Sequence, residues 1–219
     1  MWIKENLEKI KVTLPKGITL VAVSKTKPIE TIREAYEAGQ RVFGENKIQE
    51  MTQKWELLPK DIEWHMIGHV QRNKVKYMAE YVSLVHGVDS LKLLKEINKQ
   101  AQKHNRVIAC LLQMHIAKEE TKFGLNPEEL EELIASSEFR ELNHIKIKGL
   151  MGMATFTEDA LRIKNEFQYL KTTFEALRKK LDGIEILSMG MSGDYGIAIE
   201  EGSTMVRIGS SIFGARNYS

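Results

Sequence analysis

Lys25 ends the run Leu20-Val21-Ala22-Val23-Ser24, which describes a short strand, and a period of two puts the lysine on the face of Val21 and Val23. If that face lines a barrel, the amine is held in apolar surroundings. Desolvation disfavours the ammonium form and can draw a lysine from its reference pKa of about 10.4 toward about 7 to 8, where the neutral amine attacks an aldehyde. Judged alone, a strand-end lysine is more often a solvent-edge residue. A second group lies far along the chain, where Met189-Gly190-Met191-Ser192-Gly193-Asp194 is followed by Arg207-Ile208-Gly209-Ser210-Ser211. Glycines let backbone N–H groups approach phosphate oxygens, a short helix N-terminus adds positive potential, and Ser192 and Ser210 add hydroxyl donors. Read in isolation, the same glycines merely turn the chain. An amine and a phosphate seat together suggest pyridoxal 5'-phosphate, which needs both.

Groups so far apart in sequence need a scaffold that brings them together. Short β-rich runs alternate with helical patterns along the whole length, the signature of a parallel sheet joined by crossover helices, so the class is α/β. Strands are expected at 19–25, 41–46, 64–68, 84–89, 107–114, 145–153, 184–191 and 205–213. Their starts recur about every 20 to 40 residues, with no Pro/Gly/Ser-rich linker between them. Eight such units in 219 residues fit one (β/α)₈ barrel domain over 1–219 better than an open sheet with a second domain. A leucine-rich solenoid would need a Leu-x-x-Leu-x-Leu register that is absent. In a barrel, functional groups gather where strands end, which is where Lys25, Ser192 and Gly209 fall.

Helix signals fill the intervals. Pro28 suits a first helical position, Ile29, Ile32 and Tyr36 form a stripe, and Gly39 suits a left-handed C-terminal cap. Asn126-Pro127 with Glu129 resembles a capping box. The longest helix follows Thr155, because Ile163, Phe167, Leu170, Phe174, Leu177 and Leu181 alternate spacings of four and three.

Other groups read as structural. Gly190, Gly193 and Gly196 do not form a G-x-G-x-x-G fingerprint and no G-x-x-x-x-G-K-[ST] loop exists, which demotes nucleotide binding. His65 and His69, on a strand and its loop, are expected to point apart without a third ligand, and His86 and His115 to sit within or beside strands, so no metal centre is expected. Cys110, inside an apolar run, reads as a small buried hydrophobe, and Lys122 as a surface lysine. The 32 basic and 30 acidic side chains are interspersed, leaving no basic stripe for nucleic acid. The longest apolar run, 107–112, is far short of the roughly 20 residues of a membrane-spanning helix. Ile3, Leu7, Ile10 and Leu14 describe an amphipathic helix and not a signal-peptide core, and a single cysteine fits a reducing cytoplasm.

Six segments, in order, carry a resemblance. Val21-Ala22-Val23-Ser24-Lys25-Thr26-Lys27-Pro28, Phe43-Gly44-Glu45-Asn46, Trp64-His65-Met66-Ile67-Gly68-His69-Val70-Gln71-Arg72-Asn73-Lys74, Gly149-Leu150-Met151, Ser188-Met189-Gly190-Met191-Ser192 and Val206-Arg207-Ile208-Gly209-Ser210-Ser211-Ile212-Phe213-Gly214 closely resemble the pyridoxal phosphate homeostasis proteins of the YggS or PROSC type. The resemblance covers nearly the whole chain. It implies a single (β/α)₈ TIM barrel of the alanine racemase N-terminal domain type, carrying pyridoxal 5'-phosphate as an aldimine on Lys25. It further implies a phosphate seat from Ser192, Gly209 and Ser210, Arg207 facing the pyridine nitrogen, and Asn46 near the cofactor. Gly149-Leu150-Met151 runs on into Gly152-Met153-Ala154-Thr155, where many relatives have a proline, so the loop above the sixth strand is left open.

Two functions then compete: a cofactor-holding homeostasis protein and an amino-acid racemase. Racemisation needs a proton donor on each face of the substrate's alpha carbon, and Lys25 serves one face. In alanine racemase the other face is served by a tyrosine from a second domain of the partner subunit, which a chain ending at Ser219 is expected to lack. The expectation is a binding protein with little or no turnover and no catalytic residue. Its expected partners are pyridoxal phosphate, free amino acids and, transiently, apoenzymes that use the cofactor, with neither nucleic acid nor membrane, as a monomer or weak dimer.

Overall fold

Short runs of β-branched, aromatic and other apolar residues become strands at every expected place in the computed structural model, which describes residues 2–118 and 123–214. The strands are β1 (Thr19–Val23), β2 (Val42–Glu45), β3 (Glu63–Met66), β4 (Leu84–Val88), β5 (Ile108–Gln113), β6 (Ile145–Met151), β7 (Ile186–Met191) and β8 (Met205–Ile208). Each pairs in parallel with the next, and β1 pairs with β8 from Thr19↔Met205 to Ala22↔Ile208, so the sheet closes into a (β/α)₈ barrel.

Period-two alternation sorts each strand between two cores. Val21, Leu84, Leu111, Met151 and Met205 fill the barrel interior. Their neighbours Leu20, Ala22, Val85, Cys110, Leu112, Leu150, Val206 and Ile208 join a larger core between barrel and helices. The helices are α1 (Trp2–Thr13), α2 (Ile29–Glu37), α3 (Ile48–Leu57), α4 (Leu91–Lys103), α5 (Pro127–Ala135), α6 (Ser137–Arg140), α7 (Ala160–Arg178), α8 (Tyr195–Glu200) and α9 (Ser210–Phe213). A 3-10 helix, Arg72–Tyr77, stands between β3 and β4. The α7 stripe buries Ile163, Phe167, Leu170, Phe174 and Leu177 as the spacing predicts. Each large side chain so buried contributes about 1.5 to 3 kcal/mol. The Asn126 capping box forms at α5, and Gly39 ends α2 at φ +87. Among the described residues, no helix is long and apolar enough to cross a membrane.

Strand ends shift from the sequence expectation, and three of the shifts have a clear local reason. The segment 205–213 is not one strand: β8 stops at Ile208, and Gly209, at φ −123 and ψ −69, turns the chain into α9. The Gly209 carbonyl accepts from the N–H groups of Ile212 and Phe213, which an extended chain could not supply. β1 likewise stops at Val23, and Lys25 sits in a turn closed by the Lys27 N–H on the Ser24 carbonyl at 3.0 Å. β6 ends at Met151, and the loop beyond it is fastened by a buried carboxylate. The Thr155 N–H and hydroxyl donate to the two oxygens of Glu166 at 2.6 and 2.7 Å.

Candidate functional site

At the C-terminal ends of the strands lies a cavity of about 620 Å³. Lys25, Asn46, Ser192, Arg207, Gly209 and Ser210, far apart in sequence, all line it. Lys25 is half-buried in the turn after β1. Asn46 follows β2 and is held by a close approach, since a Cβ on Gly68 would come within 2.5 Å of the Asn46 carbonyl oxygen. Ser192 follows β7, where Asp194 Oδ1 accepts from the Met191 N–H at 2.5 Å and rounds the loop. The Gly209 N–H donates to Ser192 Oγ at 3.3 Å, tying the β7 and β8 exits together. A Cβ on Gly209 would lie 3.0 Å from the Val23 carbonyl oxygen and 3.2 Å from Val23 Cβ, so the glycine is also required by its packing on β1. Lys27 Nζ donates to the carbonyls of Phe213 and Gly214 at 2.9 and 3.2 Å, joining the Lys25 turn to the end of α9.

Arg207 is the deepest charged group of the cavity, only 3% exposed. Nη1 donates to Ser188 Oγ at 2.6 Å and Nη2 to the Gly152 carbonyl at 3.1 Å. Burial lowers its pKa to about 10, against which Asp194 acts, so it is charged at neutral pH. Below it runs a chain of neutral groups. Among the described residues, Ser188 Oγ has one further partner, His86 Nδ1 at 3.0 Å, and His86 Nε2 meets His65 Nδ1 at 3.0 Å. A guanidinium only donates, so the arrangement that pairs every hydrogen sends the Ser188 proton to His86 Nδ1 and the His86 proton from Nε2 to His65. One donor-only group thus sets the polarity of the whole relay.

The chain as a whole matches a known family. The family model described as "Alanine racemase, N-terminal domain" matches residues 2–217. A pyridoxal phosphate homeostasis protein of Aquifex aeolicus is 43% identical over 201 residues, 91% of this chain and 87% of the relative. The chain belongs to the pyridoxal phosphate homeostasis protein family. The structure of PipY from Synechococcus elongatus PCC7942 solved with PLP bound superposes with a TM-score of 0.88 at 35% identity, over 97% of this chain and 100% of that one. An alanine racemase of Clostridium difficile 630 shares the fold alone, with a TM-score of 0.79 at 16% identity over 58% of its length.

Within this homeostasis-family barrel, several cavity residues had no expected part in the site. His69 Nδ1 stands 3.3 Å from Asp89 Oδ2, and its ring stacks on Phe123 at 4.0 Å between centroids. Gln113 Nε2 holds the Phe123 carbonyl at 2.9 Å. Lys122 lies outside the described residues. His65 does point away from the cavity rim that His69 lines, but its place is a buried pair with His86 and not an isolated strand position.

The buried pair gives an expected pH dependence. Burial pushes His65 down to about 3, and burial, His65 and Arg207 together push His86 well below the ordinary imidazole value. Below a pKa of about 6.5 the unfolded chain binds protons that the folded one does not, so stability is full above that pH and falls as pH drops, by about 1.4 kcal/mol per unit for each histidine. Urea unfolding from pH 7.5 to 5 should show this loss, while imidazole nitrogen NMR of the folded protein shows both rings unprotonated at pH 5. Signals that titrate near 6.5 would contradict the relay.

Proposed function

We propose that this chain holds pyridoxal 5'-phosphate in the barrel mouth on Lys25 and serves the homeostasis of that cofactor. The observation that carries the reading is the convergence of a lysine amine, a buried donor-only Arg207 and the Ser192–Gly209–Ser210 group on one cavity. When bound, the cofactor supplies an aldehyde that condenses reversibly with a primary amine. The donor set fits such a ligand: Lys25 offers the amine, the two loops after β7 and β8 offer N–H and hydroxyl donors to a phosphate, and Lys27 adds positive charge nearby. Arg207 offers only donors, so it favours an unprotonated ring nitrogen and weakens the ring as an electron sink. Asn46, after β2, completes the wall on the side of β1 away from β8. The racemase alternative is not favoured, because the relatives that match at full length carry the homeostasis name while alanine racemases share only the fold. The same reading includes exchange with free amino acids, transient contact with apoenzymes, a monomer or weak dimer, and a place of work in the cytoplasm.

Equilibrium titration tests the phosphate seat. Pyridoxal 5'-phosphate should bind at one site per chain and pyridoxal, which lacks the phosphate, far more weakly. Ser210→Ala should weaken binding by about 1 to 3 kcal/mol, the value of a hydrogen bond to a charged group, and Gly209→Val by more, through Val23 as well as the ligand. Equal affinity for the two compounds, or an unchanged Gly209→Val variant, would place the phosphate elsewhere. Incubation with L-alanine in deuterated water should yield little inverted, alpha-deuterated product; multiple turnovers would restore the racemase.

A further inference from the structure

Behind the cavity wall lies a cluster of ionisable side chains that the cofactor reading does not use. Glu45 at the end of β2 is fully buried, Lys54 on α3 has a side chain 6% exposed, and that of Glu50, one helical turn earlier, is 24% exposed. Lys54 Nζ reaches Glu45 Oε1 at 2.8 Å and Glu50 Oε1 at 2.6 Å. Such a cluster is a poor device for stability, because desolvation cancels most of the Coulombic gain and apolar residues of similar volume often do better. Here the balance is worse still. Glu45 Oε2 has no hydrogen-bond partner among the described residues, and burial raises the Glu45 pKa against the pull of Lys54 and Ser24.

The contacts of the cluster point to a local task instead. Lys54 Nζ donates to the Ser24 carbonyl at 2.8 Å, the Ser24 hydroxyl donates to Glu45 Oε1 at 2.6 Å, and the Thr26 N–H donates to Glu50 Oε1 at 2.6 Å. Every one of these captured groups belongs to the residue immediately before or immediately after Lys25. Thr26 needs the restraint: it stands at φ +65, a region that β-branched residues rarely occupy. Strain of this kind persists only where the surroundings over-determine the backbone, and it collects at functional sites. Glu45 also directly precedes Asn46, so the cluster anchors two successive stretches of the cavity wall.

We infer that Glu45, Glu50 and Lys54 are positioning residues that clamp the 24–27 turn in its strained form and thereby present the Lys25 amine to the cavity. The inference rests on the reading of Lys25 as the cofactor-bearing amine. Without the clamp, Thr26 relaxes toward negative φ and the path of the chain through Lys25 changes.

Glu50 is the residue to alter, because its partial exposure lets variants fold. Glu50→Gln keeps an oxygen able to accept from both Thr26 and Lys54; Glu50→Ala does not. Thr26→Gly removes the penalty at positive φ and should relieve the need for the clamp. The experiment mixes cofactor-free protein with pyridoxal 5'-phosphate, follows the rise of the lysine-linked absorbance, maps the borohydride-reduced adduct by peptide mass, and records the melting temperature separately. Glu50→Ala should slow attachment about 10- to 100-fold, the scale of a misplacement near 1 Å, and spread the adduct to other lysines. Glu50→Gln should stay within about threefold, and Thr26→Gly should restore most of the rate to Glu50→Ala. A Glu50→Ala variant that melts earlier but attaches the cofactor to Lys25 at the unaltered rate overturns the clamp alone. An unaltered protein whose adduct forms on another lysine overturns the cofactor reading and the clamp with it.

Discussion

Lys25→Ala is expected to abolish borohydride-stable attachment of pyridoxal 5'-phosphate while shifting the melting temperature by no more than a few degrees. The two halves of that result have separate causes. Attachment requires a primary amine at the cavity, and in the proposed reading Lys25 provides it from the turn after β1. Folding does not require it, because the turn is held through its neighbours: the Ser24 carbonyl and hydroxyl and the Thr26 N–H carry the hydrogen bonds to the cluster behind. Lys25 is also half-buried at the barrel mouth and is no part of the buried core, so its loss leaves no large cavity. The check is peptide mass mapping of the reduced protein beside a thermal melt. An adduct that persists in Lys25→Ala, chiefly on Lys27, would move the attachment site by two residues and remove the central assignment.

Arg207→Met should cost about 2 to 4 kcal/mol of stability and also loosen cofactor retention, although Arg207 makes no ion pair with a carboxylate among the described residues. Methionine matches much of the volume but donates nothing. The Gly152 carbonyl and Ser188 Oγ, both buried, would each lose their donor, at about 1 to 3 kcal/mol apiece. Part of that is offset, since the variant no longer buries a guanidinium. The unpaired acceptors win because both partners remain buried. Arg207→Lys should fall between, keeping a charge but not the planar fork that serves two acceptors at once. Urea midpoints for the three proteins, with and without cofactor, decide the matter. Identical midpoints would mean that Gly152 and Ser188 find other donors.

How much of this was legible beforehand depended on how far each signal reaches along the chain. Alternation on β1 and β8 is local, so Val21 against Leu20, and Arg207 against Val206, could be sorted from a few residues. The six cavity residues followed from strand ends plus motif resemblance. The relay did not, because Ser188 and His86 are 102 residues apart and meet only when the ring of strands closes. Each of His65 and His86, read singly, is merely a histidine in a strand. Lys54 was equally silent: one lysine on a helix gives no sign that it is buried against Glu45. The end of β8 failed for the opposite reason. Ile212 and Phe213 are as good strand residues as helix residues, and only the turn at Gly209 decides between them.

The latch between Lys27 and the carbonyls of Phe213 and Gly214 joins nearly the first and the last parts of the described chain, and it has a consequence for biosynthesis. A ribosome releases Lys25 early, but Gly209 and Ser210 leave it on the order of 10 to 40 s later at ordinary elongation rates. During that interval the nascent chain displays the lysine with no seat for an anion and no β8 to close the ring. Under the proposed reading, selectivity for a phosphorylated aldehyde therefore begins only once β8 and the turn at Gly209 have been made. A chain truncated before Gly209 would lack Gly209, Ser210 and the latch, and the Lys25 amine would stay in solvent as an ordinary lysine.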